Sequence, residues 1–149
     1  PQIHYQQSGL FHVVTKTANN NKWCTQNGIP ERLVHHLCLT RDVHTALLHA
    51  FCILPNHLHL ILTPGSAGLS AFMQSFKSNS IKDIQTLLHR KISWQKGFYD
   101  ERIRDAKQQS SAVGYVLGNA VKHHLVKEIE DWPWTSFHFS SICDPLDIW

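Results

Sequence analysis

The sequence predicts an α+β fold, an antiparallel sheet with helices packed on one face. Three observations predict it. Short apolar runs recur along the chain, several with the two-residue alternation of a half-buried strand. Longer segments between them repeat their apolar residues at helical spacing. The two kinds of segment follow one another in the order β-α-β-β-α-β-α, with one strand–strand step short enough to be a hairpin.

Each element has its own reason. GLFHVVTKT (9–17) alternates well enough for a first strand, and TANNNKWCTQNG (17–28) is a polar, Asn-rich loop. PERLVHHLCL (30–39) carries Pro in its first turn and reads as a short helix. HTALLHAFCIL (44–54) is a strongly apolar strand; Pro55 and Asn56 break it, and HLHLILT (57–63) resumes as the next. Residues 68–92 read as a long helix with Leu69, Phe72, Met73, Phe76, Ile84, Leu87 and Leu88 largely on one stripe, a core face. GFYDERIR (97–104) is a fourth strand. Residues 110–125 form a last helix, with Ser110 or Ser111 as N-cap. The first six elements match the ferredoxin-like βαββαβ arrangement.

The length of 149 residues suits one domain spanning 1–149, and 42% hydrophobic against 17% charged residues suits a packed core. No run approaches the roughly 20 apolar residues of a membrane span, and no secretion signal opens the chain. Pro1 is an unusual first residue and points to a trimmed N-terminus. Cys24, Cys38, Cys52 and Cys143 are scattered without a CxxC pair, which argues against a zinc ribbon or redox pair and for reduced thiols in the cytoplasm. A net charge of +3 permits a polyanionic partner without requiring one.

One strand poses a chemical question. In residues 57–63, Leu58, Leu60 and Leu62 point one way, and His57, His59, Ile61 and Thr63 the other. If the leucine face meets the helices, the opposite face presents two imidazoles close enough to share one ion. Neutral imidazole is the commonest side-chain metal ligand. A cation half-site and a pair of ordinary polar residues on an exposed face both fit this short pattern.

The last helix sharpens the choice. At about 100° per residue, Val113, Val116, Leu117, Ala120 and Val121 make one apolar arc, while Tyr115, Asn119 and Lys122 fall outside it. Tyr115 and Asn119 are i and i+4 neighbours. That face meets either a polar site or solvent. As a site, it offers the Asn119 amide oxygen as a third ligand, the Tyr115 hydroxyl beside the ion, and Lys122 for a phosphate. A phenol with a pKa of about 10 needs activation by a metal or base before it attacks.

Four segments together resemble a known family. LPNHLHLIL (54–62) resembles the His-hydrophobic-His motif of the single-tyrosine HUH transposases of the IS200-like family. Residues 115–137 (YVLGNAVKHHLVKEIEDWPWTSF) are similar to the tyrosine helix and following segment of the repeat-associated (REP-associated) tyrosine transposases; WQKGFYDERIRD (94–105) and FHVVTKT (11–17) also fit. The resemblance implies a ferredoxin-like nuclease of single-stranded or hairpin DNA, nucleoid-associated in function in a bacterial cytoplasm. It implies a 5′-phosphotyrosine link at Tyr115, a divalent ion (Mg²⁺ or Mn²⁺) on His57, His59 and Asn119, and a DNA nicking and strand-transfer reaction. Ala120 stands where the family has Pro, a mild change in a helix. The bulky His123 and His124 replace small residues and read as surface positions. Monomer and homodimer are both open.

Candidate DNA contacts are Lys16, Arg41, Lys77, Arg90, Lys91, Trp94, Lys96, Arg102, Arg104 and Lys122, cations for phosphates and an aromatic face for bases, with a solvated surface for any one cation and a core place for Trp94 as the alternatives. Two other functions compete: a vestigial module that binds hairpin DNA or RNA without cutting it, and a small-molecule hydrolase using Asp100, Glu101 or Asp105 as a further ligand.

Overall fold

The computed structural model describes residues 9–146; Pro1 lies outside them. Strand β1 (Leu10–Lys16) leads through a polar loop to helix α1 (Ile29–His44). Strands β2 (Leu47–Leu54) and β3 (His57–Thr63) form the hairpin, and helix α2 (Leu69–Leu88) returns the chain to β4 (Tyr99–Ile103). Helix α3 (Ala106–Leu117) and a single turn, α4 (Asn119–Lys122), follow, and short 3₁₀ turns carry the tail. The sheet order is β2-β3-β1-β4, antiparallel throughout. This is the ferredoxin-like α+β arrangement expected from the element order.

The sheet has an apolar core on each face. Leu58, Leu60 and Leu62 pack with Phe11, Val13, Phe51 and Ile53 against Leu33 and Leu37 of α1 and Phe72, Phe76 and Ile84 of α2. Leu87 leaves the expected stripe and is exposed. On the other face, Ile61, Ala50, Cys52 and Leu54 bury Val116 of α3 and Ala120 of α4. The face that carries the histidines is therefore roofed by the tyrosine-bearing helix.

Several boundaries differ from the sequence expectation. Helix α1 extends through His44, and β2 starts later, at Leu47. Thr45 turns the chain with φ of 53°, and Thr45 and Ala46 bond back to Asp42 and Arg41 carbonyls. Local polarity does not mark such an exit. The last helix begins at Ala106, because Asp105 is the N-cap: its side chain accepts from the Gln108 backbone N–H at 2.8 Å. Gln108 reaches back to the Arg104 N–H at 2.6 Å. Ser110 and Ser111 are interior to it. The helix also does not run unbroken to 125; it stops at Gly118 and restarts at Asn119.

The tail explains the DWPWTS segment. The Trp132 indole N–H donates to the Ile53 carbonyl at 2.9 Å, and the Ile53 N–H donates to the Trp134 carbonyl at 2.8 Å. Thr135 bridges Cys52, the Ser136 hydroxyl accepts from the Phe51 N–H, and Asp144 takes the Leu48 N–H on its carboxylate. The outer edge of β2 is thereby paired, which removes a row of open backbone donors and acceptors.

Candidate active site

The four residues singled out on β3 and the last helix come together. His59 is buried among the rings of His12 (centroids 5.2 Å apart), His57 (5.1 Å) and Tyr115 (5.5 Å). Strand alternation sets the histidines on one face, and Val116 and Ala120, docked on that face, hold Tyr115 over it. Together they wall a cleft of about 1060 Å³ that Lys16, Lys22, Lys107, Lys122 and His123 also line.

Both histidines are kept neutral. Burial first, then the neighbouring His123 and Lys16, pushes His57 down to about 4. Burial, with His57 and His12 beside it, pushes His59 down to about 3. A neutral ring has a lone pair to give. The Asn56 side-chain oxygen accepts from His57 Nδ1–H at 2.7 Å, which leaves His57 Nε2 bare.

Asn119 is fully buried, and neither atom of its amide completes a hydrogen bond within the protein. The amide is near enough to both His57 and Tyr115 to influence their ionisation. A buried amide whose contacts to His57 and Tyr115 fall short of full hydrogen bonds is unusual and needs an explanation. Two neutral imidazoles and an amide oxygen are a mixed nitrogen–oxygen donor set of the kind that can hold a divalent cation. Among the described residues no three His, Cys, Asp or Glu side chains converge to hold an ion, so the amide would have to complete the set. The sequence reading put Asn119 beside Tyr115 on a face meeting either a polar site or solvent. The break at Gly118 interrupts the regular helical step between them, and Asn119 is buried beneath Tyr115, near His57 as well.

Tyr115 is 43% exposed, and its hydroxyl accepts from Lys122 Nζ at 2.9 Å. The ammonium also lies 4.6 Å from the centre of the phenol ring. This hydrogen bond holds the phenol below its ordinary pKa, against the opposing effect of burial. Lys122 therefore touches the nucleophile candidate itself.

Of the ten proposed DNA contacts, only Lys16 and Lys122 line the cleft. Trp94 takes the core alternative and not the DNA contact: it is 8% exposed, packs on Trp23 and Phe76, and donates to Ser80, so its face is taken. Lys77 clamps the Gln95 and Gly97 carbonyls, and Arg41 is tied to Asp42, Asp144 and the Ile142 carbonyl. Arg90 lies 3.5 Å from Gln26, and Arg102 sits over Phe11 on the opposite face of the sheet. Lys91, Lys96 and Arg104 are exposed outside the cleft. The sequence reading missed His12, Lys22, Tyr99 and Lys107 as lining residues and weighed Glu101 only as a hydrolase ligand; His123 is exposed as expected, yet its ring lies 5.3 Å from that of His57 at the cleft. Alternation along β1 placed His12 opposite the apolar Phe11 and Val13, a usable signal; the cross-strand register that brings it to His59 is not local.

Comparison with known proteins bears on this geometry. Residues 5–118 match the family model described as "Transposase IS200 like". The chain belongs to this family. A REP-associated tyrosine transposase of Escherichia coli (strain K12) is 33% identical over 93 residues, 61% of this chain and 54% of that one. A relative from Haemophilus influenzae is 30% identical over 106 residues, 60% of this chain and 57% of that one. The chain thus spans little more than half the length of the curated relatives it matches. A solved REP-associated tyrosine transposase bound to a REP hairpin superposes with a TM-score of 0.77 at 25% identity, over 96% of this chain and 88% of that one. No helix among the described residues is long and apolar enough to cross a membrane.

Proposed function

We propose that this member of the IS200-like family nicks hairpin-bearing single-stranded DNA and transfers the cut strand through a 5′-phosphotyrosine at Tyr115. One observation carries the reading: a tyrosine hydroxyl, held by a lysine ammonium, stands against two neutral strand histidines and an unsatisfied buried amide in a cleft lined with lysines. The solved relative's hairpin supports the choice of DNA.

The roles follow from chemistry. His57, His59 and Asn119 hold a divalent cation, Mg²⁺ or Mn²⁺. When bound, such an ion polarises the phosphoryl oxygens of the scissile phosphate. Lys122 stabilises the Tyr115 phenolate after the phenol proton leaves to solvent, which reaches the half-exposed ring. Tyr115 Oη forms a bond to phosphorus, the bond from phosphorus to the 3′ oxygen of the preceding nucleotide breaks, and that oxygen leaves as a 3′-OH after taking a proton. Attack by a 3′-OH on the phosphotyrosine reverses these bond changes and completes strand transfer. Lys16, Lys22 and Lys107 hold backbone phosphates along the cleft.

The test is covalent capture. Labelled single-stranded hairpins are incubated with the protein and Mn²⁺ and separated on a denaturing gel. A labelled protein-sized band is expected, lost in Tyr115→Phe and in His57→Ala. Hairpin binding without such a band in the unaltered protein would overturn the proposal and leave a binding module.

A further inference from the structure

The two strand histidines do not hold their protons in the same way. His57 Nδ1 meets an amide oxygen, which only accepts, so its tautomer is settled locally. His59 Nδ1 meets another imidazole, His12 Nε2, at 3.0 Å. A nitrogen–nitrogen contact of this kind holds one proton, and either ring can be the donor. The choice decides what happens at the far side of His59. If His12 donates, a neutral His59 carries its proton on Nε2 and has no lone pair there. If His59 donates, its Nε2 is bare, like that of His57.

We infer that His12 is a positioning residue for this site: its Nε2 accepts from His59 Nδ1–H and so leaves the His59 Nε2 lone pair free for a divalent cation. The inference rests on the proposed role of His57 and His59 as ligands. Four features carry it. His12 sits on a central strand, with Ile61 of β3 on one side and Glu101 of β4 on the other, so the backbone fixes where its ring stands. Its ring stacks on His59 at an interplanar angle of 22° and meets Tyr115 edge-on at 5.7 Å, so little room is left to turn away. Its Nε2 already faces His59 Nδ1, so that nitrogen is not available to the same cation. Glu101, paired with His12 across β4, puts a negative charge near the His12 ring. A ligand imidazole whose second nitrogen donates to a fixed acceptor is oriented and made more basic.

The test separates this role from a purely structural one. His12→Phe keeps a ring between His59 and Tyr115 but removes the acceptor; His12→Gln restores an acceptor oxygen at similar reach. Mn²⁺ affinity is read by calorimetry on the DNA-free protein. The Phe variant is expected to bind about 10- to 100-fold more weakly, and the Gln variant to recover most of that loss. Imidazole ¹⁵N spectra of the unaltered, metal-free protein should show His59 protonated at Nδ1 and bare at Nε2. Unchanged affinity in His12→Phe, a Gln variant as weak as the Phe variant, or a His59 proton on Nε2 would each overturn the inference. His59→Ala distinguishes the two levels. If it keeps full Mn²⁺ affinity, the ligand assignment fails and the inference falls with it. If it loses affinity while His12→Phe does not, only the role of His12 is wrong.

Discussion

Asn119→Leu is expected to make the metal-free protein more stable while abolishing its response to a divalent ion. The asparagine amide is fully buried with neither polar atom paired, beside Val116 and Ala120 in the apolar layer between sheet and helix. An unsatisfied buried polar group costs about 1–3 kcal/mol, and a similarly shaped apolar group does not incur that cost. The proximity of the amide to His57 and Tyr115 recovers part of the loss, and leucine is slightly larger, so a gain of about 1–2 kcal/mol is the reasonable expectation. For a chain of 149 residues that corresponds to a melting temperature higher by roughly 2–8 °C. In the unaltered protein the order reverses once the site is filled, because an ion at 100 times its Kd adds about 2.7 kcal/mol to the folded state. Thermal melts in EDTA and in saturating Mn²⁺, run on both proteins, measure all four values. A variant that melts lower than the unaltered protein in EDTA would refute the idea that the amide is held there at a cost. A variant that Mn²⁺ stabilises as much as the unaltered protein would refute its role as a ligand.

Three further outcomes follow from the same geometry. Lys122→Met should slow adduct formation at neutral pH about tenfold, since unit charges 2.9 Å apart interact by about 1.4 kcal/mol at the dielectric of water, the right limit for a half-exposed phenol; the deficit should shrink as pH rises and the phenol ionises unaided, as a pH–rate series of single-turnover assays will show. Gly65→Ala should destabilise the fold by about 3 kcal/mol or more in urea titrations, because a Cβ there would lie 1.7 Å from the His44 carbonyl oxygen, backbone against backbone. Stability should also fall with acidity: His57 and His59 stay neutral in the fold down to about 4 and about 3, whereas an unfolded histidine protonates at about 6.5. Between those values the unfolded chain binds more protons, so stability is fully present above about pH 6.5 and declines by up to about 1.4 kcal/mol per pH unit for each histidine as pH drops, flattening below the folded values. Urea midpoints that do not move between pH 7 and 5 would show that the rings are not buried as neutral groups.

Period and spacing carried much of this structure into view. The alternation in residues 57–63 put the leucines against the helices and the histidines on the other face, and the structure agrees. The helical wheel placed Tyr115 off the apolar arc, and Val116 and Ala120 within that arc are what dock the helix on the sheet. What stayed hidden was non-local. His12 reaches His59 only through the β1–β3 register, a pairing across 47 residues. The basic residues were indistinguishable as sequence, because a lysine that clamps carbonyls, such as Lys77, and one that lines the cleft, such as Lys16, have the same local signature. Trp94 stood open between base stacking and the core, because its partners Trp23 and Phe76 lie far away in the chain. Asn119 was singled out by its spacing from Tyr115, although the glycine between them makes the actual geometry different from the ideal helix.

The sealed edge of β2 has a consequence for how this protein is made. Its closing contacts join residues up to 96 positions apart: Phe51 to Ser136, Ile53 to Trp132, Leu48 to Asp144. During synthesis the four strands emerge long before residues 132–144 do, so a nascent chain can assemble its sheet yet still display one apolar border with open amides. Long-range closure of this kind is slow, and an unpaired border invites other growing chains. The time between emergence of β4 and emergence of Trp132 is therefore the interval in which this protein is most exposed to chaperones and to its own copies, and the tryptophan-rich segment ends that interval.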